Sequence, residues 1–421
     1  MRLIALLLFL VTGAAAAQFP AREFPYGTRH AGYGAHLIRP SHRTAAQMNQ
    51  DVLQAYQRWK TRYLITVSPG VYRIDGGYGN GIVTRSDAQG YGMLIVALMA
   101  GGDGEPQANG ILQGLLSYAQ AHPSGIDSRL MTWKTNSSGL AIDGNHSLFG
   151  GDADIALALL IAHAQFYLDL GDYYLQQAQP RIAAQAASVM GADSALPLLG
   201  DWVDPAGATY NQYSVRVADF MPAHFVNFAR AGGQPIWTHA IGAGSAQIEH
   251  LQTTYAPATG LVPDFAVRES SGDRLRPAPA NFYESAEDGD YSFNASRVPW
   301  RIGVHAVLYG DAASLRQARR FAQWSEAAAG GNPAQLYSGY RLDGTPLRTS
   351  FWSVFAASAA VATMTSPNQQ SWLNALYDAI RTREQGYFDD DSVALLALLI
   401  LSGNYWEPAA SLDRLFLGVF D

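Results

Sequence analysis

Carboxylate side chains stand at or just before the start of several apolar segments of the sequence. They are Asp87 before "GYGM", Asp152 and Asp154 in "GGDADIALALL", Asp219 in "ADFMPAHF" and Glu284 in "NFYES". An acidic residue at a helix start often serves as the N-cap, where its side chain accepts backbone N–H bonds. Two carboxyl groups are also what glycosidic cleavage needs, one to protonate the leaving oxygen and one to activate water or attack the sugar. Because such residues recur, we expect these helix starts to converge on an acidic cleft.

Aromatic and basic residues accompany the carboxylates. Tyr91 lies in "GYGM", Trp133 in "LMTWKTNSSG" and Arg297 in "ASRVPWRIG". Aromatic residues make up 11% of the chain, with 9 Trp and 22 Tyr. Flat aromatic side chains fill protein cores, and their faces also pack on the apolar faces of pyranose rings. Trp133 is therefore a candidate either for stacking on a sugar or for sealing its own loop.

Motifs for other catalytic chemistries are weak. The chain has no cysteine, and none of its 10 histidines has the HExxH spacing of a zinc site. The stretch "DADI" lacks the rest of a calcium-binding loop. No GxSxG surrounds a serine, and "GGYGNGI" has neither dinucleotide-binding nor phosphate-loop spacing. We therefore predict no metal and no cofactor.

Helical periodicity dominates the elements that must position these residues. Apolar residues recur at helical spacing near 45–60, 90–102, 108–121, 152–169, 173–189, 219–231, 236–252, 297–309, 312–326, 351–364, 368–381 and 391–402. Short breaks such as "GGDGEP" and "YGDAAS" join the segments in pairs. Long loops separate the pairs at 67–81, 122–151, 196–217 and 255–294, and long loops inside a compact domain are usually functional. The pattern predicts one all-α domain of helix hairpins, with the loops on one face.

The N-terminus and the charge indicate where the protein works and what it binds. Residues 1–17 combine Arg2, an apolar run and "AAAA", the layout of a cleaved secretory signal peptide that is too short for a membrane anchor. The remaining domain is then 18–421. The formal net charge is −7, only 15% of residues are charged, and no basic patch points to nucleic acid. We predict a soluble monomer, secreted or periplasmic.

Successive blocks of the chain resemble glycoside hydrolase family 8, in the order of that family. They are "QGYGMLIVALMAG", "HPSGIDSRLMTWK", "DADIALALLIAHAQF", "ADFMPAHFVNFAR", "LQTTYAPATGLVPDFAV", "PAPANFYES" with "DGDYSFNASRVPWRIG", and "YFDDDSVALLALLILSGN". The resemblance covers most of residues 18–421 and implies an (α/α)6 barrel, in agreement with the dozen paired helices. It also implies an inverting endo-hydrolase of a β-1,4-linked polysaccharide: cellulose, lichenan, chitosan or xylan.

The resemblance assigns roles to individual positions, with departures from the family pattern. Asp87 stands where the family keeps its acid, a Glu in "SEGxGYGM", and is assigned as the proton donor. Asn294 in "FNASRVPWR" replaces the base Asp of one subgroup. A second subgroup, the chitosanase and lichenase type, has Asn there and takes its base from the preceding loop, which assigns the base to Glu284. In the "[ST]D[AG]D" signature, Gly150 replaces the first Asp, an active-site position, and Asp152 remains.

The assigned pair sets further expectations for the site. A proton donor must stay protonated near neutral pH, which requires burial or a nearby like charge, and Asp152 is the expected source of that charge. Inversion requires the carboxyl groups of Asp87 and Glu284 to stand about 6.5–9.5 Å apart. The substrate polysaccharide is predicted to lie in a groove lined by Tyr91, Trp133, Asp152, Asp219, Asn294 and Arg297.

Two other classes of function are open on the same scaffold. One is a polysaccharide lyase, with a histidine base and a uronate neutralised by arginines; the candidates are His224, His239, His305, Arg216, Arg297 and Arg301. The other is a glycan-binding protein without catalysis. Hydrolysis gives new reducing ends, elimination gives an unsaturated product that absorbs ultraviolet light, and a binder gives neither.

Overall fold

Twelve α-helices form the framework of the described chain. The structure is a computed structural model that describes residues 24–28, 33–34 and 36–410, so the predicted signal peptide lies outside the described residues. The helices are α1 (Ala45–Tyr63), α2 (Ser86–Leu98), α3 (Ala108–Ala121), α4 (Phe149–Leu170), α5 (Tyr173–Ser188), α6 (Pro222–Gly232), α7 (Ile236–His250), α8 (Val298–Tyr309), α9 (Ala312–Ala329), α10 (Ser353–Thr363), α11 (Gln370–Arg381) and α12 (Phe388–Ser402). Each coincides with one of the segments whose periodicity predicts a helix.

The even-numbered helices form a closed inner ring. Helix α2 packs against α4, α4 against α6, α6 against α8, α8 against α10, α10 against α12, and α12 against α2. The odd-numbered helices lie outside this ring; α5 bridges α4 and α6, and α9 bridges α8 and α10. Two concentric layers of six helices are an (α/α)6 barrel, so the predicted fold class is confirmed.

Burial explains which layer each helix joins. Every residue of α2 and α10 is buried, whereas α11 buries one face with Trp372, Leu373, Leu376 and Ile380. A helix that is apolar all round is stable only inside a core, and a helix with one apolar face lies at its edge. Helix α4 is long and apolar enough to cross a membrane by length and composition, but in the fold it belongs to the inner ring.

Two glycines bring the start of α2 against the start of α4. A Cβ atom at Gly90 would lie 2.7 Å from the Cβ atom of Asp154. A Cβ atom at Gly151 would lie 2.3 Å from Ser86 Oγ and 2.6 Å from the backbone nitrogen of Asp87. Non-bonded carbon contacts are normally about 3.5–4.0 Å, so any larger residue would push the two helices apart. The close approach fixes the backbone of Asp87 against α4.

Short antiparallel strands stiffen the loops that the sequence predicts as irregular. They are β1 (Leu64–Ser68) with β2 (Val71–Ile74), β3 (Ile82–Arg85) with β4 (Lys134–Asn136), and the sheet of β5 (Val215–Arg216), β6 (Phe265–Arg268) and β7 (Leu275–Pro277). Arg85 pairs with Lys134, which ties the loop before α4 to the start of α2. Arg216 pairs with Phe265, which joins the loop before α6 to the loop before α8.

Candidate active site

A cavity of about 740 Å³ opens at the N-terminal ends of the inner helices. Each inner helix contributes a residue from its first turn or from just before it: Asp87, Gly150, Asp219, Arg297, Trp352 and Asp389. The long loops add Tyr78, Trp133, Lys134, Arg216, Glu284 and Asn294. The helix starts therefore converge on one cleft, as their carboxylates predict.

Asp87 lies in the first turn of α2, and only 5% of its surface is exposed. The N-cap residue of α2 is Arg85, and no side-chain hydrogen bond caps this helix. The interpretation of Asp87 as the N-cap is therefore wrong. Its Oδ1 atom accepts from the amide of Ala88 at 3.1 Å and lies 3.5 Å from Arg85 Nε. The carboxyl group lines the cavity, with Arg85 beside it and an electrostatic interaction with Arg297.

Arg85 is shared between Asp87 and a second acid, Asp389. Its Nη2 donates to Oδ1 of Asp389 at 2.8 Å and to Oδ2 at 3.0 Å. Burial, and then the charge of Asp390, raise the pKa of Asp389 to about 8. Burial also raises the pKa of Asp390 to about 7. This wall of the cavity therefore holds carboxyl groups that keep a proton near neutral pH.

Glu284 is held from two sides. Arg216 Nη2 donates to Oε1 at 2.7 Å, and Asn294 Nδ2 donates to Oε2 at 2.8 Å. Burial by itself would raise the pKa of Glu284, but the charge of Arg216 and the two hydrogen bonds outweigh it and bring the pKa below its ordinary value. The side chain keeps 35% of its surface exposed, at the cavity. A carboxylate that is ionised at neutral pH and open to the cavity can accept a proton from water.

Asp288 fixes the backbone of the loop that carries Glu284. Its carboxylate accepts hydrogen bonds from the amides of Tyr283 at 2.6 Å, Glu284 at 3.0 Å and Ser285 at 2.9 Å. The ring of Tyr283 is stacked on Trp202, with 14° between the two planes. The loop is thus anchored by a buried carboxylate and an aromatic stack, which hold Glu284 in place.

The side-chain amide of Asn294 forms hydrogen bonds with three charged side chains. Its Oδ1 accepts from Arg297 Nη2 at 2.7 Å and from Arg216 Nε at 3.1 Å, while its Nδ2 donates to Glu284. Arg297 also donates to the hydroxyl of Tyr91 at 3.4 Å. An Asp at position 294 would keep both arginine contacts but would set a second negative charge against Glu284. Asn at this position is therefore what a base at Glu284 requires.

Asp219 fills the space in front of Gly150. A Cβ atom at Gly150 would lie 2.8 Å from Asp219 Oδ1 and 3.2 Å from Met221 Cε. Asp219 is 4% exposed, and burial raises its pKa although Arg216, among other arginines, acts to lower it. The glycine that replaces the signature carboxylate thus leaves room for a carboxylate that arrives from the start of α6.

Asp152 does not line the cavity, which corrects its predicted place in the groove. It is fully buried, ion-paired with Arg181 of α5, and accepts from the amide of Met131 at 3.0 Å. Burial raises its pKa to about 6. Since Arg181 offsets its charge, Asp152 is not the like charge expected beside Asp87.

Asp154, two residues further, does line the cavity. Arg301 donates to both of its oxygens, at 2.9 and 2.6 Å, and His224 Nε2 lies 2.8 Å from its Oδ1. All three side chains are buried. Among the residues that the structure describes, no three His, Asp or Glu side chains are grouped to hold a metal ion.

The three candidate lyase bases lie away from the cavity lining. His224 is buried against Asp154, and His305 is buried with its Nδ1 2.9 Å from Ser314 Oγ. His239 is exposed on α7. Within the described residues, none that lines the cavity is a histidine. Elimination on this scaffold therefore lacks the base that the sequence offers for it.

Aromatic side chains line the cavity at two places. Trp133 is half-buried, and the ammonium group of Lys134 lies 3.8 Å from the centre of its ring. Trp352 contacts Tyr387 and Phe293, with ring centres 4.8 and 5.4 Å apart. Partly exposed flat rings at a cleft are the arrangement that stacking on a sugar requires.

Arg85, Asp389 and Asp390 line the cavity, but the sequence analysis does not single them out. A signal for the two acids exists in "YFDDD", a run of carboxylates at the start of an apolar segment. Periodicity begins this helix near residue 391, whereas α12 begins at Phe388 and includes Asp389 in its first turn. Nothing in the sequence marks Arg85, because its role follows from the pairing of β3 with β4.

Comparison with known proteins gives matches over nearly the whole chain. The profile of the glycosyl hydrolases family 8 matches residues 37–402. The chain is 36% identical over 400 residues to a β-glucanase of Niallia circulans, covering 94% of each. It is 32% identical over 412 residues to an endoglucanase of Bacillus sp. (strain KSM-330), covering 95% of this chain and 85% of the relative. A solved β-1,3-1,4-glucanase from Paenibacillus sp. X4 is similar in structure with a TM-score of 0.86 at 35% identity, covering 92% of this chain and 100% of that one.

An (α/α)6 barrel whose inner helices aim carboxylates, arginines and aromatic rings into one cleft is the scaffold of a glycosidase. The extent of these matches then fixes the family. The chain belongs to glycoside hydrolase family 8, and the resemblance read from the sequence blocks is confirmed.

Proposed function

We propose that this enzyme cleaves β-1,4 linkages inside a β-glucan chain with inversion, with Asp87 as the proton donor and Glu284 as the base. The observation that carries the proposal is the state of Glu284. Arg216 and Asn294 keep it ionised, and it opens on a cavity that Asp87 also lines. The loop of Glu284 leads into α8, which stands opposite α2 in the order of the inner ring.

The reaction follows from these two positions. Glu284 takes a proton from a water molecule, whose oxygen attacks the anomeric carbon of the sugar. Asp87 gives its proton to the glycosidic oxygen as that bond breaks. The new sugar end carries the inverted configuration, Glu284 is left protonated and Asp87 ionised, and exchange with solvent restores both. Asp87 has one methylene fewer than Glu, about 1.5 Å of reach, so the substrate must lie closer to α2.

The charges around the cavity favour a neutral glycan. Its lining has five basic residues, Arg85, Lys134, Arg216, Arg297 and Arg301, against seven acidic ones, Asp87, Asp143, Asp154, Asp219, Glu284, Asp389 and Asp390. Because the pKa values of Asp389 and Asp390 are about 8 and 7, the two sets come close to balance at neutral pH. A cationic chitosan or a polyuronate would gain little from such a lining. The β-glucanase and β-1,3-1,4-glucanase relatives also support a glucan substrate.

The layout of residues 1–17 supports export as part of the same proposal, with a mature chain that begins near Gln18 and acts as a monomer outside the cytoplasm. Expression with the native leader, followed by N-terminal sequencing of protein from the periplasm and the medium, tests it. An intact leader on protein that stays inside the cell would contradict export.

Product analysis on a polysaccharide panel tests the reaction. The purified enzyme is given β-1,3-1,4-glucan, carboxymethylcellulose, xylan and chitosan, and new reducing ends, ultraviolet absorbance and the configuration of the new anomeric carbon are measured. We expect reducing ends with inverted configuration on the β-glucans. Asp87→Asn and Glu284→Gln should each abolish hydrolysis while binding remains, and Asp51→Asn, a buried ion-paired acid on α1, is the matched control.

Other outcomes of the panel contradict the proposal in distinct ways. An absorbing product would show a lyase, and retained affinity without any product would show a glycan-binding relative. Wild-type turnover in Asp87→Asn would exclude Asp87 as the donor. A rise in activity on β-1,4-glucan in Asp87→Glu would show that the short acid is a partial loss of function rather than an adaptation.

A further inference from the structure

Asp264 is a buried acid just before β6, and it lies outside the lining of the cavity. Its Oδ1 atom accepts hydrogen bonds from the backbone amides of Ser292 at 2.9 Å and Ala295 at 2.7 Å. Its Oδ2 atom accepts from the backbone amide of Asn294 at 3.2 Å and from Nδ2 of the same residue at 3.5 Å. One carboxyl group therefore holds the turn that carries Asn294.

The backbone around Asp264 is tied to the other segments that hold the base. Its carbonyl oxygen accepts at 3.1 Å from the amide of the residue after Arg216, and Arg216 itself pairs with Phe265. The amide of Phe265 donates to the carbonyl oxygen of Asp288 at 2.8 Å, and the Asp288 carboxylate anchors the loop of Glu284. Two adjacent residues of the chain thus connect all the segments that surround the base.

The hydrogen-bond donors around Asp264 explain why a carboxyl group stands at this position. Burial, and also the charge of Glu284, raise the pKa of Asp264 to about 7 although the three backbone amides act to lower it. An Asn has almost the same shape and carries no charge to bury. Its Nδ2 atom only donates, however, and would face a backbone N–H group. The carboxyl group is therefore suited to holding the turn, in spite of the cost of its burial.

We propose that Asp264 is a positioning residue for the base, which it aligns by holding Asn294 against Glu284. This inference rests on the proposed role of Glu284 and adds a residue that acts on it through Asn294. The Asn294 side chain donates to Glu284 at 2.8 Å and accepts from Arg216 and Arg297, so a small movement of its backbone disturbs all three contacts. Because Asp264 lies outside the lining of the cavity, its loss should misplace the base and leave glycan binding intact.

Separate measurement of kcat and KM on β-1,3-1,4-glucan tests this role. Asp264→Asn should lower kcat about 10- to 100-fold and change KM less than about threefold, because misplacement of a catalytic group slows the chemical step. Asp201→Asn is the matched control. Asp201 is another buried acid outside the cavity lining, and it accepts from the backbone amide of Ser147 at 2.8 Å. The control should lower the melting temperature and keep kcat within about twofold of the parent enzyme. Should Asp264→Asn fail to fold, Asp264→Ser, which still accepts a hydrogen bond, takes its place.

A double-mutant cycle with Asn294→Ala separates positioning from general damage to the fold. Once the Asn294 side chain is gone, Asp264 has nothing left to align, so Asp264→Asn should then lower kcat less than about twofold further. Losses that multiply in the double variant would overturn the inference. So would an unchanged kcat in the single variant Asp264→Asn, or a rise in KM without a fall in kcat. Wild-type turnover in Glu284→Gln, which leaves Asp264 in place, would instead refute the proposed function, and the inference with it.

Discussion

Glu284 and Asp87 line the same cavity, but the groups that surround their carboxyl groups differ. Around Glu284, the guanidinium group of Arg216 and the amide of Asn294 each bind one oxygen and bring the pKa below its ordinary value. Around Asp87, the cation within 4 Å is Arg85, whose Nη2 is bound to Asp389, and Arg297 adds a second positive charge. One wall therefore stabilises a carboxylate, and the other surrounds its acid with carboxyl groups that keep their protons.

The difference bears on the roles proposed for the two residues, Asp87 as the acid and Glu284 as the base. Six inner helices point their N-terminal ends, which carry partial positive charge, at the cavity, and this field favours ionised carboxylates everywhere in it. On the wall that carries Glu284, the charge of Arg216 and the hydrogen bonds from Arg216 and Asn294 act in the same direction as this field. On the wall that carries Asp87, burial works against the field at two other acids and raises the pKa values of Asp389 and Asp390. Environments that differ in this way are what the proposed assignment of one acid and one base requires.

The largest expected effect comes from removing the carboxyl group of Glu284 or of Asp87. A small nucleophile or a better leaving group can then restore the step that each variant has lost. Glu284→Ala and Asp87→Ala should each lower turnover about 10²–10⁴-fold. Azide can act in place of the activated water, so it should partly restore Glu284→Ala and leave Asp87→Ala inactive. An aryl oligoglucoside has a leaving group that needs no proton, so this substrate should partly restore Asp87→Ala and leave Glu284→Ala inactive.

Product analysis by mass spectrometry and anomeric NMR checks this pair of rescues. Asp51→Ala, on α1 and outside the lining of the cavity, is the control for loss of a buried acid. Restoration of Asp87→Ala by azide would mean that the two roles are exchanged.

A smaller effect is expected when a second carboxylate is placed beside Glu284. Asn294→Asp would replace the amide that donates to Glu284 by a second negative charge, which raises the pKa of Glu284. The base works only when ionised and its activity is lost as pH falls through its pKa, so the acidic limb of kcat/KM should move to higher pH. At pH 5 we expect a loss of about 10- to 100-fold, with near-normal activity above pH 7. The exposed Asn332→Asp is the control, and an unmoved acidic limb would exclude Glu284 as the base.

Much of this architecture is predictable from the sequence, because apolar periodicity is strong wherever a helix is buried. The twelve predicted segments coincide with the twelve helices, and Asp87, Asp219 and Glu284 lie at one cavity as their positions before helices suggest. The prediction that Asp152 lines the groove is wrong for a geometric reason. Two residues on a helix are about 200° apart, so Asp152 and Asp154 cannot face the same side. Asp154 shares a face with Gly150, four residues earlier, and both line the cavity.

The remaining parts of the site depend on contacts between distant segments. Arg85 is placed by the pairing of β3 with β4, and it then reaches Asp389, which is 304 residues away in sequence. The space that Asp219 fills at Gly150 comes from the crossing of two helices. No spacing within either segment encodes such contacts, so only the assembled barrel reveals them.

Trp133 lies close to Asp87 in the cavity. Its carbonyl oxygen accepts a hydrogen bond at 2.8 Å from the amide of Ser86, the residue before Asp87. If the ring stacks on a sugar next to the donor, Trp133→Ala should raise KM about 10-fold, the effect of losing roughly 50 Å² of apolar contact. The value of kcat should change little. Tyr167→Ala, an exposed aromatic residue on α4, is the control. A fall in thermal stability with unchanged KM would show that Trp133 only seals its loop.

The smallest expected effect is a shift in the pH profile from Asp389→Asn. Asp389 accepts from Arg85 Nη2 through both oxygens, while Arg85 Nε stands 3.5 Å from Asp87. The variant frees the guanidinium group to move towards Asp87 and also removes the negative charge that Asp389 acquires above its pKa of about 8. Both changes favour the ionised form of Asp87, so the donor should lose its proton at a lower pH than in the parent enzyme. The alkaline limb of kcat/KM should therefore move down by about one pH unit, with the maximum changed less than about threefold. The exposed Asp378→Asn, whose acid also pairs with an arginine, is the matched control. An alkaline limb that stays in place would show that Asp389 does not compete with Asp87 for Arg85.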